Sequence, residues 1–195
     1  MQRRRGAPLK GEISARERIL NAADTLFYHQ GIRSIGIDTV IAESGVSKAS
    51  LYRAFSSKDA LIEAFVIERD RRHWAWWDKL AQGYADNSLA MLDAVLCGIA
   101  KHIGSEHYRG CPFLNVLTEF PQVDHPARIA ALANKQELKR RLLEICQNIS
   151  QDHSEKAADQ LFLLINGAYS TGAMLSITAL QAALRDGAAR IVDNA

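Results

Sequence analysis

The chain has 195 residues, 48% hydrophobic and 24% charged, the balance of an ordinary globular protein, which excludes global disorder and fibrous repeats. No run approaches the roughly 18 uninterrupted apolar residues that a spanning helix needs, and no apolar segment follows the N-terminal arginines, so the expectation is a cytoplasmic chain without a membrane partner. The net charge of +2 divides unevenly: residues 1–60 hold ten Lys or Arg against six Asp or Glu, giving +4, which leaves −2 for the rest and points the first third toward a polyanion.

A basic arm spans residues 1–13. Its Arg3-Arg4-Arg5 run, separated from the first helix by Pro8 and Gly11, reads equally as a flexible arm drawn to the minor groove and as a solubilising tail. Ser14-Ala15-Arg16-Glu17 is a capping box and predicts a helix start. Ile19, Ala23, Leu26 and Phe27 then form one apolar stripe, and Gly31 supplies the stop. A short helix over Ile37 to Ser44 ends at Gly45. A third runs through Val46 to Phe55 with Ser47 as its cap and Val46, Leu51 and Phe55 as anchors. Two short helices joined through a glycine turn are the sign of a helix-turn-helix.

From Ser57 the pattern lengthens, with Leu61, Ala64, Phe65, Trp74 and Trp77 marking a long helix before the breakers between Gly83 and Ser88. Further helices are predicted at about 88–103, 112–120 behind Pro112, 126–148 behind Pro126, 155–175 and 178–192, proline being well suited to a first turn. No segment alternates with period two over strand length, so the fold class is all-α.

The motif from Gly31 to Leu61 is the most specific feature: Ile37-Asp38, Val40-Ile41-Ala42, Ser44-Gly45-Val46-Ser47-Lys48, Ser50-Leu51-Tyr52, Phe55, Lys58 and Leu61. It resembles the DNA-binding segment of the TetR (tetracycline-repressor-like) family of bacterial transcriptional regulators, and the resemblance covers residues 14 to about 65. Gly110-Cys111-Pro112-Phe113-x-Asn115 looks like an element of one branch of that family. Gly36 stands where members usually carry Thr, so a hydroxyl contact to phosphate is missing there. The resemblance implies an N-terminal helix-turn-helix domain over 14–56 and a helical effector-binding and dimerisation domain over 57–195. It also implies a dimeric repressor released from a palindromic double-stranded operator by a small organic effector, without a cofactor. The competing classes are a helical enzyme and an interaction module without DNA binding. Against the enzyme, the sequence contains no phosphate loop, HExxH or GxSxG.

Candidate DNA contacts are Ser47, Lys48, Ala49, Ser50, Tyr52, Arg53 and Lys58. Small residues at the start of a recognition helix let the backbone approach the groove, where Lys48 reaches a guanine edge or a phosphate. The resemblance implies phosphate contact for Tyr52. Arg53 suits a base or the backbone, and Lys58 begins the long helix, whose dipole already favours an anion.

Candidate effector contacts are Trp74, Trp77, Cys111, Phe113, Asn115, Glu119 and Tyr169, with Trp76 beside them. Aromatics with a few polar groups suit an organic pocket, and Asn115 and Glu119 stand out as polar residues at i and i+4 on an apolar helix. Cys111, just before Pro112, reads either as a reactive helix-terminal thiol or as a small buried hydrophobe. The three cysteines, Cys97, Cys111 and Cys146, contain no CxxC, and reduced thiols are expected. Gly110 and Pro112 interrupt any helix shared by His107 and Cys111, so no metal site is expected. The last two helices are the expected homodimer surface, with Gly167, Ala168, Gly172 and Ala173 allowing close approach.

Overall fold

The computed structural model describes residues 13–150 and 152–193, so the Arg3-Arg4-Arg5 run lies outside the described residues. Among the described residues the structure is helical: α1 (Ala15–Gln30), α2 (Ile37–Ser44), α3 (Lys48–Ala54), α4 (Lys58–Ala81), α5 (Ser88–Ile103), α6 (Pro112–Glu119), α7 (Pro126–Ile149), α8 (Ser154–Thr171) and α9 (Ile177–Asp193), with a single 3-10 turn at Gly172–Met174. None of these helices is long and apolar enough to cross a membrane.

Local chemistry sets the head. The Ser14 hydroxyl accepts from the Glu17 amide at 3.2 Å and the Glu17 carboxylate accepts from the Ser14 amide at 2.9 Å, completing the capping box. Behind it Ile19, Ala23 and Phe27 are buried against Val40 of α2 and Leu51 of α3. Gly45 ends α2 in the left-handed region at φ 62°, and the Arg18 guanidinium of α1 donates to the carbonyls of Ser44 (2.7 Å) and Gly45 (2.9 Å). A Cβ at position 45 would lie 2.9 Å from that guanidinium. The turn therefore requires glycine both for its backbone angle and for the space Arg18 occupies.

α4 is the spine. Its first half packs on α1 through the edge-to-face pair Phe27 and Phe65 (5.6 Å), and its second half packs on α5 and α7. One apolar core runs without a break from Ile19 in the head to Ala188 in α9. The sequence places the end of the eighth helix at about 175, but α8 stops at Thr171 and a tight turn follows. The cause is tertiary: Leu180 of α9 folds back to 3.1 Å from where a Cβ of Gly172 would stand.

Candidate nucleic-acid interface and effector cavity

α3 presents two unlike faces. Leu51 and the following Phe55 are buried, while Lys48, Ala49, Tyr52 and Arg53 are exposed. Ser47 caps the helix by accepting from the Ser50 amide at 3.2 Å, and the two hydroxyls lie 2.9 Å apart. Lys48 pairs with Asp38 of α2 at 3.5 Å, both side chains being largely exposed. Such a pair contributes about 0–1 kcal/mol, so it leaves Lys48 available to an anion. Lys58 is the first residue of α4 and half-buried, behind the Ser57 cap that accepts from Ala60 at 3.0 Å. Gly36 caps α2 without any side-chain hydrogen bond. The sequence reading missed Arg18, whose clamp on the α2–α3 turn holds α3 in place.

Inside the body a cavity of about 370 Å³ opens between α4, α5, α6, α7 and α8. Its aromatic side chains are Trp76, Phe113 and Tyr169, and a charged wall holds Arg69, Arg72 and Lys135 together with the Asp24 carboxylate of α1. His73 and His102 face it as neutral imidazoles. Burial, with the charges of Lys135 and Arg141 nearby, pushes His73 down to about 4, and burial together with Arg69 lowers His102. Burial also raises the Tyr169 phenol above its ordinary range, keeping it a neutral donor.

Of the residues named from sequence, Cys111, Phe113 and Tyr169 line this cavity, and Trp74, Trp77, Asn115 and Glu119 do not. Trp77 is core at 4% exposure. The Trp74 indole donates to Asp70 at 2.8 Å and carries the Arg141 guanidinium 4.4 Å above its ring. Trp76 is the one of the three that lines the cavity, its ring lying close over Gly98, where a Cβ would meet it at 2.5 Å. Helical geometry explains the sorting. Residues two apart differ by about 200° around the axis, so when Phe113 faces the cavity Asn115 faces away, and Trp74 and Trp76 part in the same manner.

The polarity of Asn115 and Glu119 serves structure. Asn115 Nδ2 donates to the Arg109 carbonyl at 3.0 Å, and Glu119 Oε2 accepts from the Arg33 amide at 2.9 Å, in the turn ahead of α2.

Cys111 occupies the cap position of α6, buried to 4% exposure, with Lys135 Nζ donating to its sulfur at 3.4 Å. Cys97 is partly exposed beside Asp93. Lys135 was also missed. The signal was present, because Ala131, Lys135, Leu138 and Leu142 fall at i, i+4, i+7 and i+11 and place a lysine on an apolar stripe.

The interface expected on α8 needs a similar correction. Ala168 and Gly172 turn toward the chain's own core and toward α9, whereas Gly167 and Ala173 are exposed.

The profile of bacterial regulatory proteins of the tetR family matches residues 19–65. A crystal structure of a TetR-family transcriptional regulator from Streptomyces coelicolor is similar with a TM-score of 0.87 and 32% identity, over 92% of this chain and 95% of that one. The HTH-type transcriptional regulator YxaF of Bacillus subtilis is 28% identical over 172 residues, covering 84% of this chain and 85% of YxaF. A cysteine mutant of the TetR-family regulator CifR, solved with 26-base-pair operator DNA, shares the fold at a TM-score of 0.77 and 18% identity, over 93% of this chain and 98% of that one.

Proposed function

The chain belongs to the TetR family of bacterial regulatory proteins and is a DNA-binding transcriptional regulator, and from that premise we propose that it is a cytoplasmic, dimeric repressor released from a palindromic operator by a small organic effector. Its work on this reading is binding rather than catalysis. Residues 14–56 read the DNA through Ser47, Lys48, Ala49, Ser50, Tyr52, Arg53 and Lys58. Residues 57–195 hold the effector in the cavity and form the dimer through α8 and α9.

The observation that carries the effector response is α6. Its cap, Cys111, and its first turn, with Pro112 and Phe113, line the cavity, and its last residue, Glu119, holds the Arg33 amide in the head. The same junction is reinforced by Tyr28, whose hydroxyl donates to the Gly110 carbonyl at 2.9 Å and accepts from the Arg109 amide at 3.0 Å. An eight-residue helix tied at both ends transmits displacement of one end to the other, since packed interiors are stiff. A ligand that prefers one position of α6 shifts the head by its differential affinity for the two positions, and operator DNA must weaken that ligand by the same factor.

Fluorescence anisotropy of an operator duplex, titrated with protein and effector, tests the reading. Glu119→Gln replaces a charged acceptor with a neutral one while keeping the side chain's shape. The expected result is near-normal DNA affinity with a weakened effector response, by about five-fold or more, within the usual span of coupling energies. A full response in Glu119→Gln removes α6 from the coupling.

A further inference from the structure

The three cations of the cavity wall are not equivalent. Arg69 is held by Asp24 through two hydrogen bonds of 2.6 and 3.1 Å. Arg72 is held by Glu68 at 2.8 Å and by Asp24 at 3.4 Å. Lys135 is 6% exposed, and among the described residues no carboxylate lies within 4.0 Å of its ammonium. Its neighbours are the Cys111 sulfur at 3.4 Å and the rings of Tyr169 and Phe113, 5.2 and 5.9 Å from Nζ to centroid. A thiol sulfur is a weak acceptor, and ring faces offset only part of the desolvation of an ammonium. A buried charge in this condition is costly unless something else brings a countercharge.

Space and shape say what that is. The cavity is large enough for a ligand of one or two rings, its lining includes the rings of Trp76 and Phe113, both imidazoles facing it are neutral, and its one carboxylate among the described residues, Asp24, is already paired with Arg69 and Arg72. We infer that the effector is an aromatic anion whose acidic group pairs with Lys135 while its ring lies against Phe113 and Trp76. This assignment rests on the effector reading above and adds its charge and its anchoring residue.

The test uses two probes of nearly equal shape, 2-naphthoate and its neutral amide, 2-naphthamide, titrated calorimetrically into the full chain at pH 7.5. The expected result is that naphthoate binds at least about tenfold tighter, the ratio one charge-assisted contact supplies. Lys135→Met brings the two affinities to within about twofold and raises the melting temperature of the free protein, because an uncompensated charge has been replaced by an apolar chain. Lys135→Arg keeps the preference for the anion. Equal or tighter binding of the amide to the unmodified protein overturns the assignment, as does a preference that survives in Lys135→Met, and the comparison in the unmodified protein decides the sign without any variant. If neutral aromatics release operator DNA while naphthoate does not bind, the anion assignment falls and the effector response stands; if no aromatic of either class binds the cavity, the assignment falls, and the operator anisotropy titration decides the effector response by itself.

Discussion

At the scale of single residues, the proposed DNA-facing surface separates contact from support. Lys48 and Tyr52 project from α3, Tyr52 at 46% exposure, while Leu51 beneath them is fully buried. Lys48→Ala and Tyr52→Phe should therefore weaken operator binding without lowering stability, as circular dichroism melts and anisotropy titrations will show. If Lys48 reads a guanine edge, its loss costs about 1–3 kcal/mol on the operator and little on random duplex; if it holds a phosphate, binding weakens equally on both and the salt slope falls by about one. Unchanged affinity in both variants removes these residues from the interface. Arg18 belongs to the other class. It meets no groove in this reading, yet its two hydrogen bonds to the α2–α3 turn aim the recognition helix.

At the scale of elements, α8 shows how one helix divides its faces. Leu161, Ile165, Ala168 and Tyr169 are buried in the chain's own core, whereas Leu163 is 69% exposed and a Cβ added at Gly167 would meet nothing within 4 Å. Past the helix, Met174, Leu175 and Ile177 are exposed at 82%, 51% and 43%. An apolar strip of this kind supports the proposed dimer, since exposed contiguous apolar surface marks an association site. Leu163→Arg is the clean probe, because it places a charge on that strip and breaks no internal contact. Light scattering should give a dimer for the unmodified chain and a monomer for Leu163→Arg with its melting temperature nearly unchanged. A variant that remains dimeric locates the interface elsewhere. Arginine at Ala168 would instead enter the core and unfold the helix.

At the scale of the whole molecule, the buried imidazoles set the response to acid. His73 faces Lys135, Arg141 and His102, and its pKa of about 4 lies below the ordinary 6.5. The folded state thus favours the neutral ring. The stabilisation is complete above pH 6.5 and is lost as pH falls from 6.5 toward 4, a difference on the order of 3 kcal/mol. Glu68 and Glu137 do not confuse this window. Hydrogen bonds from Arg71 and Arg72, and from Arg140 and Arg141, hold them at about 2, so their contributions fade only below pH 4.5. Chemical denaturation between pH 7 and 4.5 should show a steady decline that is shallower in His73→Leu. Identical slopes would mean that His73 does not govern it.

Helix starts and stops were legible in the sequence because their causes are local. The Ser14 box, the Ser47 and Ser57 caps, Gly31, Gly45, Pro112 and Pro126 each act within a turn of their own position, and the helices begin and end beside them. The helix-turn-helix was legible for a related reason, since its spacing encodes two short helices and the turn between them. The end of α8 was not, because it depends on α9 folding back. Nor were the partners of Glu119 and Trp74 or the isolation of Lys135. Glu119 meets an amide 86 positions earlier in the chain, and Lys135 is a cavity residue only because α4, α6 and α8 close around α7, where among the described residues no carboxylate comes within 4.0 Å of its ammonium. Periodicity says which face of a helix is buried. Whether a buried polar group meets a partner, a cavity or neither is decided by residues distant in sequence, and that only the tertiary structure supplies.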